Sequence, residues 1–145
     1  MSDKHWTASE VEAWLAEAAD TLRRLPERRI GGYQQSWPDF PLDPRDAYGW
    51  TETRMRRIPP SPAAISRMED VLGWLRYLET VDRRIAWLKA SGYRWKSICW
   101  QVGLSRSAAN EHWLYALCVI TLRLNHCRLN RNQSRRKVIQ RARSV

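Results

Sequence analysis

Apolar residues recur along this chain in steps of three and four, the signature of helices that bury one side. Thr7-Ala8-Ser9-Glu10 reads as a capping box: the Thr7 hydroxyl can accept from the Glu10 N–H while the Glu10 carboxylate reaches back. Trp6 and Val11 stand where a hydrophobic staple would. The stripe Val11, Trp14, Leu15, Ala18, Leu22 and Leu25 then predicts an amphipathic helix that stops at Pro26. Its apolar face must be covered, either by later helices or by a second copy of the chain. Ser61-Pro62 is an N-cap followed by an N1 proline, and Ile65, Met68, Val71, Leu75 and Leu78 continue it as a helix face. Thr80 is expected to cap a further helix, with Asp82 in the first turn, Val81, Ile85 and Leu88 inward, and Ser91-Gly92 at its end.

The stretch Trp95 to Leu117, WKSICWQVGLSRSAANEHWLYAL, carries the most information. Ile98, Cys99 and Val102 form a short stripe, and Gly103 supplies the left-handed position that stops a helix begun at Arg94 or Trp95. Leu104 follows as an apolar plug, and Ser105 is a good N-cap for a second helix. That helix has one apolar stripe, Ala109, Trp113, Ala116, Leu117, Ile120 and Leu124, with Arg106, Ser107, Asn110 and Glu111 expected on the opposite face. Two helices joined by a short glycine-containing turn make a helix-turn-helix, whose second helix enters the DNA major groove. An ordinary helical hairpin in a bundle core is the competing reading.

Between these helical stretches the pattern breaks. All seven prolines lie between positions 26 and 62, two glycines are adjacent at Gly31-Gly32, and Tyr33, Trp37, Phe40, Tyr48 and Trp50 are spread through the same segment. The segment is expected to be an irregular arm lying on the helical domain, with a short helix near Pro44 to Tyr48. The chain therefore divides into an N-terminal amphipathic helix (1–25), a Pro/aromatic-rich arm (26–60), a helix-turn-helix domain (61–127) and a basic tail (128–145). The expected fold class is all-α, a helical bundle containing a helix-turn-helix, with an N-terminal helix and an irregular arm.

Charge adds a partner to this picture. The net charge is +10, and from His112 onward the basic residues Arg123, Arg128, Arg131, Arg135, Arg136, Lys137, Arg141 and Arg143 meet no acidic one. Residues 1 to 111 are close to neutral. A tail of this kind gains free energy on a polyanion by releasing condensed counterions. Double-stranded DNA is the expected partner, ahead of an anionic membrane surface. Three cysteines, Cys99, Cys118 and Cys127, are odd in number and suit a reduced, cytoplasmic setting, the nucleoid or a phage-infected host. No signal-peptide pattern and no run approaching about 18 apolar residues is present, so no membrane span is expected.

The residues ICWQVGLSRSAANEHWLYAL, preceded by GYRW, resemble the helix-turn-helix of sigma-factor region 4 and related bacterial regulators. Cys99 stands where that motif usually has alanine, and Ala109 where it has a β-branched residue. Over its whole length, through SWPDF, DAYGW, RIPPSPAAI, GWLRYL and YALCVITLRLN, the chain also looks like an uncharacterised family of small basic helix-turn-helix proteins of bacteria and phages. The resemblance implies a DNA-binding role.

Catalysis finds little in the sequence. His5, His112 and His126 lie in no recognised nucleophile or zincin spacing, no Gly-rich phosphate loop is present, and Cys118, His126 and Cys127 lack a fourth zinc ligand. No catalytic residue, cofactor or metal is expected, and His112 is expected to hydrogen-bond locally or touch a phosphate. For DNA, Arg106 is expected as the chief base reader, since a guanidinium can bond guanine bidentately. Asn110 suits adenine, Ser105 and Ser107 phosphates or short base contacts, and Glu111 cytosine N4. Arg94 and Lys96 would hold the backbone. The tail residues Arg128, Arg131, Arg135, Arg136 and Lys137 would add sequence-independent attraction. Trp100 lies off the Ile98-Cys99-Val102 stripe and is expected to face outward, towards the N-terminal helix, the arm, or a partner such as RNA polymerase or another protein subunit. The leading functional expectation is a sequence-specific transcriptional regulator. The alternatives are the DNA-recognition subunit of a phage packaging machine, resembling a small terminase, and a non-enzymatic adaptor for RNA or acidic protein surfaces.

Overall fold

A computed structural model describes residues 5–26, 58–130 and 132–144. Every regular element among the described residues is a helix, in the order α1 (Ala8–Arg24), α2 (Pro62–Trp74), a 3-10 turn (Leu75–Tyr77), α3 (Thr80–Ala90), α4 (Trp95–Val102), α5 (Arg106–Leu124) and α6 (Arg135–Arg143). Nearly all of the expected arm, 26–60, and its short helix near Pro44 fall outside the described residues.

The start of each early helix follows its sequence signal. Both halves of the Thr7/Glu10 capping box form, and the Ser61 hydroxyl accepts from the Ala64 N–H at 3.2 Å ahead of Pro62. The face of α1 is covered from within the same chain, by α2, α3 and α5. The Trp6 ring packs edge-on against Trp14 and Trp74, with both centroid separations 5.1 Å. Arg67 of α2 adds an ion pair to Glu17 of α1 at 2.7 Å, but this pair is half-exposed and contributes at most about 1 kcal/mol. Burial of Val11, Leu15, Met68, Val71 and Trp74 is therefore what joins the two helices.

Helix α3 departs from expectation at its start. Its N-cap is Glu79, with no side-chain capping bond, and Thr80 is already helical. Val81 is 43% exposed, whereas Asp82, Ile85 and Ala86 are buried. The inward face is thus Asp82-Ile85-Ala86, spaced i, i+3, i+4. A carboxylate can occupy it because His112 of α5 lies 2.5 Å away through Nδ1. The 3-10 turn before α3 is closed by the Arg83 guanidinium, which donates to the carbonyls of Leu75 (3.0 Å) and Leu78 (2.9 Å).

Helix α5 is the hub, in contact with α1, α3, α4, α6 and the 3-10 turn. Its second half does not keep to the single stripe that the pattern predicts. All residues from Ala116 to Leu122 are buried, because neighbours surround this half of the helix. Thr121 satisfies its hydroxyl on the Leu117 carbonyl at 2.8 Å. The last turn is fixed without a glycine: His126 adopts φ 57, and the Cys127 N–H reaches the Leu122 carbonyl at 2.8 Å. The residues that the charge pattern marks as a tail contain α6, docked on α5 with Val138 2% exposed.

Candidate nucleic-acid interface

Helices α4 and α5 meet across a short turn. Gly103 takes φ 73 and ψ 28, the left-handed region that a side chain penalises, and its N–H closes α4 on the Cys99 carbonyl at 2.9 Å. Ser105 then opens α5 by accepting from the Ala108 N–H at 3.3 Å. Ile98 is fully buried where α4 rests on α3 and α5, as are Ile85 and Ala109 on those helices. This seam fixes the pair as a rigid unit.

The polar residues of α5 separate into two groups. Ser107, Asn110 and Glu111 follow one another at i, i+3 and i+4 and share a face, Ser107 exposed and the other two half-buried. Arg106 borders that face, as the i, i+4 neighbour of Asn110, but its own line runs elsewhere. At i, i+3 and i+7 it lines up with Ala109 and Trp113 on the apolar stripe, one turn beyond the end of the core. Its guanidinium is exposed and lies 5.0 Å from the centroid of the Trp95 ring, which packs edge-on against Trp113 at 5.9 Å. The expectation that Arg106 stands opposite the stripe is corrected accordingly: the sequence spacing itself assigns it to the stripe, and the aromatic ring of α4 keeps it there.

Lys89, from the last turn of α3, brings its Nζ to 5.0 Å from the same ring. Arg94 and Lys96 flank Trp95 in sequence and are exposed. Of these four cations, Lys89 of α3 and Arg106 of α5 thus meet at one α4 indole, and Arg94 and Lys96 flank it in sequence. Neither α4 nor α5 has an acidic residue in its first turn, and among the described residues no ion pair involves any of the four. Lys89 and Trp95 carry no periodic signal that singles them out in the sequence, because their proximity to Arg106 is made only by the packing of α3, α4 and α5.

A protein-family model matches residues 23–120 of the chain. The chain belongs to this family, a domain of unknown function (DUF6362). No curated protein and no solved structure matches it. The matched span takes in all four cations and Trp95, while α6 lies beyond it.

Among the other expected site residues, Trp100 is 86% exposed on α4, one turn from Lys96. Arg128 is exposed and its carbonyl accepts from the Arg141 guanidinium at 2.9 Å. Arg131 lies outside the described residues. Arg135, Arg136 and Lys137 are exposed in the first turn of α6, which has no side-chain capping bond and no acidic residue. The Arg135 guanidinium sits 5.8 Å from the Tyr115 ring centroid. Burial raises the Tyr115 phenol above the ordinary tyrosine range, helped by the charges of Asp82 and Glu79 and partly offset by Arg135. His112 takes the local option, bonded to Asp82 through Nδ1. Cys118 is buried, which pushes its thiol above the usual cysteine value, with Arg143 acting weakly in the other direction. Among the described residues no group of three His, Cys, Asp or Glu side chains could hold a metal ion, and no helix is long and apolar enough to cross a membrane.

Proposed function

We propose that the protein binds double-stranded DNA, with α4 and α5 acting as a helix-turn-helix, and that it serves as a sequence-specific transcriptional regulator. The observation that carries this reading is the charge arrangement at the helix starts. The first turns of α4, α5 and α6 hold cations and no acid, against the preference set by the helix macrodipole. That arrangement favours bound phosphate over an empty surface. Beside the cations, the face Ser107-Asn110-Glu111 offers hydroxyl, amide and carboxylate groups of the lengths that read base edges. The resemblance to sigma-factor region 4 supports the same use of the pair.

The test is selection from a random duplex library, followed by anisotropy titration of the enriched and unselected duplexes over a salt series. Enrichment of a defined sequence, with affinity falling steeply as salt rises, is the expected result. Failure to enrich, with duplex bound no better than a non-nucleic polyanion of equal charge, would remove the reading.

The exposure of Trp100 favours a second contact, with a protein. An indole this open on a helix otherwise held in the body fits a partner surface such as RNA polymerase or another subunit. The native mass separates the contexts: a monomer or dimer suits regulation, and a large ring suits the packaging alternative.

A further inference from the structure

The position of Arg106 changes what it does on DNA. Lys89 and Arg106 are each 5.0 Å from the Trp95 centroid, so their charges lie no more than about 10 Å apart. Across such a gap in water they repel by roughly 0.4 kcal/mol or more. Each cation–π contact contributes about 0.5–1 kcal/mol. The two ring contacts are of the same order as the repulsion, and the packing of α3, α4 and α5 brings both cations to the ring before any anion arrives. Among the described residues no acidic side chain is within ion-pair distance of either cation, and the nearest cleft to Lys89 holds one acid, Glu12 of α1.

We propose that Lys89 and Arg106, gathered on Trp95, form a clamp for a backbone phosphate of the bound duplex, with Trp95 as the positioning residue. The inference rests on the duplex-binding reading above and moves Arg106 from base reading to backbone binding. Two features favour a polymer phosphate over a small phosphorylated ligand. Arg94, Lys96 and Arg106 are exposed on an open surface, whereas a small anion needs enclosure to be held. The cluster also adjoins the Ser107-Asn110-Glu111 face, so a strand crossing it would set the register in which that face meets the bases. Recognition then divides into a stacked anchor that is blind to sequence and the adjoining face, beginning at Asn110, that reads it.

The experiment uses the full chain and the duplex enriched in the selection, together with an unselected duplex. Arg106→Ala and Lys89→Ala should each lower affinity roughly tenfold on both duplexes, about the loss of one charge-assisted contact. The ratio between the two duplexes should stay constant. Each variant should also reduce the slope of log affinity against log salt by about 1, the signature of one phosphate contact. Trp95→Leu should give the same pair of effects, and Trp95→Phe, which keeps an aromatic face, should restore most of the loss. Circular dichroism and melting temperature identify any variant that fails to fold, and the two cation variants, at a half-buried and an exposed position, keep the test open if Trp95→Leu does.

A drop in the enriched-to-unselected ratio on Arg106→Ala would return Arg106 to base reading and overturn this inference, while leaving duplex binding intact. Unchanged slopes would overturn it too. Inorganic pyrophosphate at millimolar concentration should compete no better than chloride of the same ionic strength, and stronger competition would reassign the site to a free phosphorylated ligand. If the wild-type protein binds no duplex at all, the parent reading fails, and that outcome is distinct from the others.

Discussion

The pair between Asp82 and His112 gives a sharp energetic test, because two descriptions of Asp82 differ severalfold in magnitude. As a first-turn acid of α3 at the surface, it would contribute only about 0.3–1 kcal/mol through the helix dipole. In the structure its side chain is 3% exposed and that of His112 13%, with 2.5 Å between Nδ1 and the carboxylate. Removing one member of such a pair leaves a buried group without compensation, at a cost of about 3–5 kcal/mol. With a denaturant sensitivity of roughly 1–3 kcal/mol per molar urea, His112→Ala should lower the urea midpoint by about 1–3 M or more. The double variant Asp82→Leu with His112→Leu removes both polar groups together and should recover most of that loss. A double-mutant cycle at these positions should therefore give a large coupling energy. If His112→Ala costs less than about 1 kcal/mol, or if the two single effects simply add, the pair does not hold α3 to α5 and Asp82 reverts to an ordinary helix-start acid. The result also bears on the cation cluster, since α3 delivers Lys89 and α5 delivers Arg106.

Val138 is 2% exposed and anchors α6. Val138→Asp should undock that helix, forfeiting the roughly 1.5–3 kcal/mol of burial, and timed trypsin digestion should then cut first between Arg135 and Arg143; an unchanged cleavage rate would mean that α6 is held by something else. Tyr115 has its phenol raised, by burial first and then by Asp82 and Glu79, so its contribution to stability is complete below the ordinary tyrosine value and is lost as pH rises through the higher folded value. Urea midpoints should fall across that alkaline range, and Tyr115→Phe should flatten the fall; equal slopes in the two proteins would show that Tyr115 is not the group responsible.

Helix existence was legible wherever a local rule decides it. The Thr7/Glu10 box, Ser61-Pro62, Gly103 and Ser105 each act within one turn of backbone, and each sits at its helix end as the spacing predicts. What was not legible depends on neighbours far along the chain. Asp82 looks like a cap acid until His112, thirty positions away, gives its carboxylate a partner inside. The second half of α5 loses its one-sided pattern because neighbours surround it from Ala116 to Leu122. Its end carries no glycine, since His126 takes the left-handed position instead. α6 was hidden by its own charge: only Val138 of its nine residues is fully buried, and a run of arginines reads as a tail. Of the candidate interface, the glycine turn and the outward polar face were readable. The gathering of Lys89 and Arg106 on Trp95 was not, because it joins three helices through an aromatic ring rather than through any spacing.

The backbone N–H and carbonyl of Trp6 are both bonded to the side chain of Asn125, at 2.8 and 2.9 Å, across 119 positions of chain. During synthesis at about 5–20 residues per second, those 119 positions take roughly 6–24 seconds to emerge. The first helix is made almost at once, yet the backbone of Trp6 lacks its Asn125 bonds until the end of α5 leaves the ribosome. Through that interval α1 has only α2 and then α3 to pack on, which leaves the nascent chain most open to proteases and wrong partners at its oldest segment.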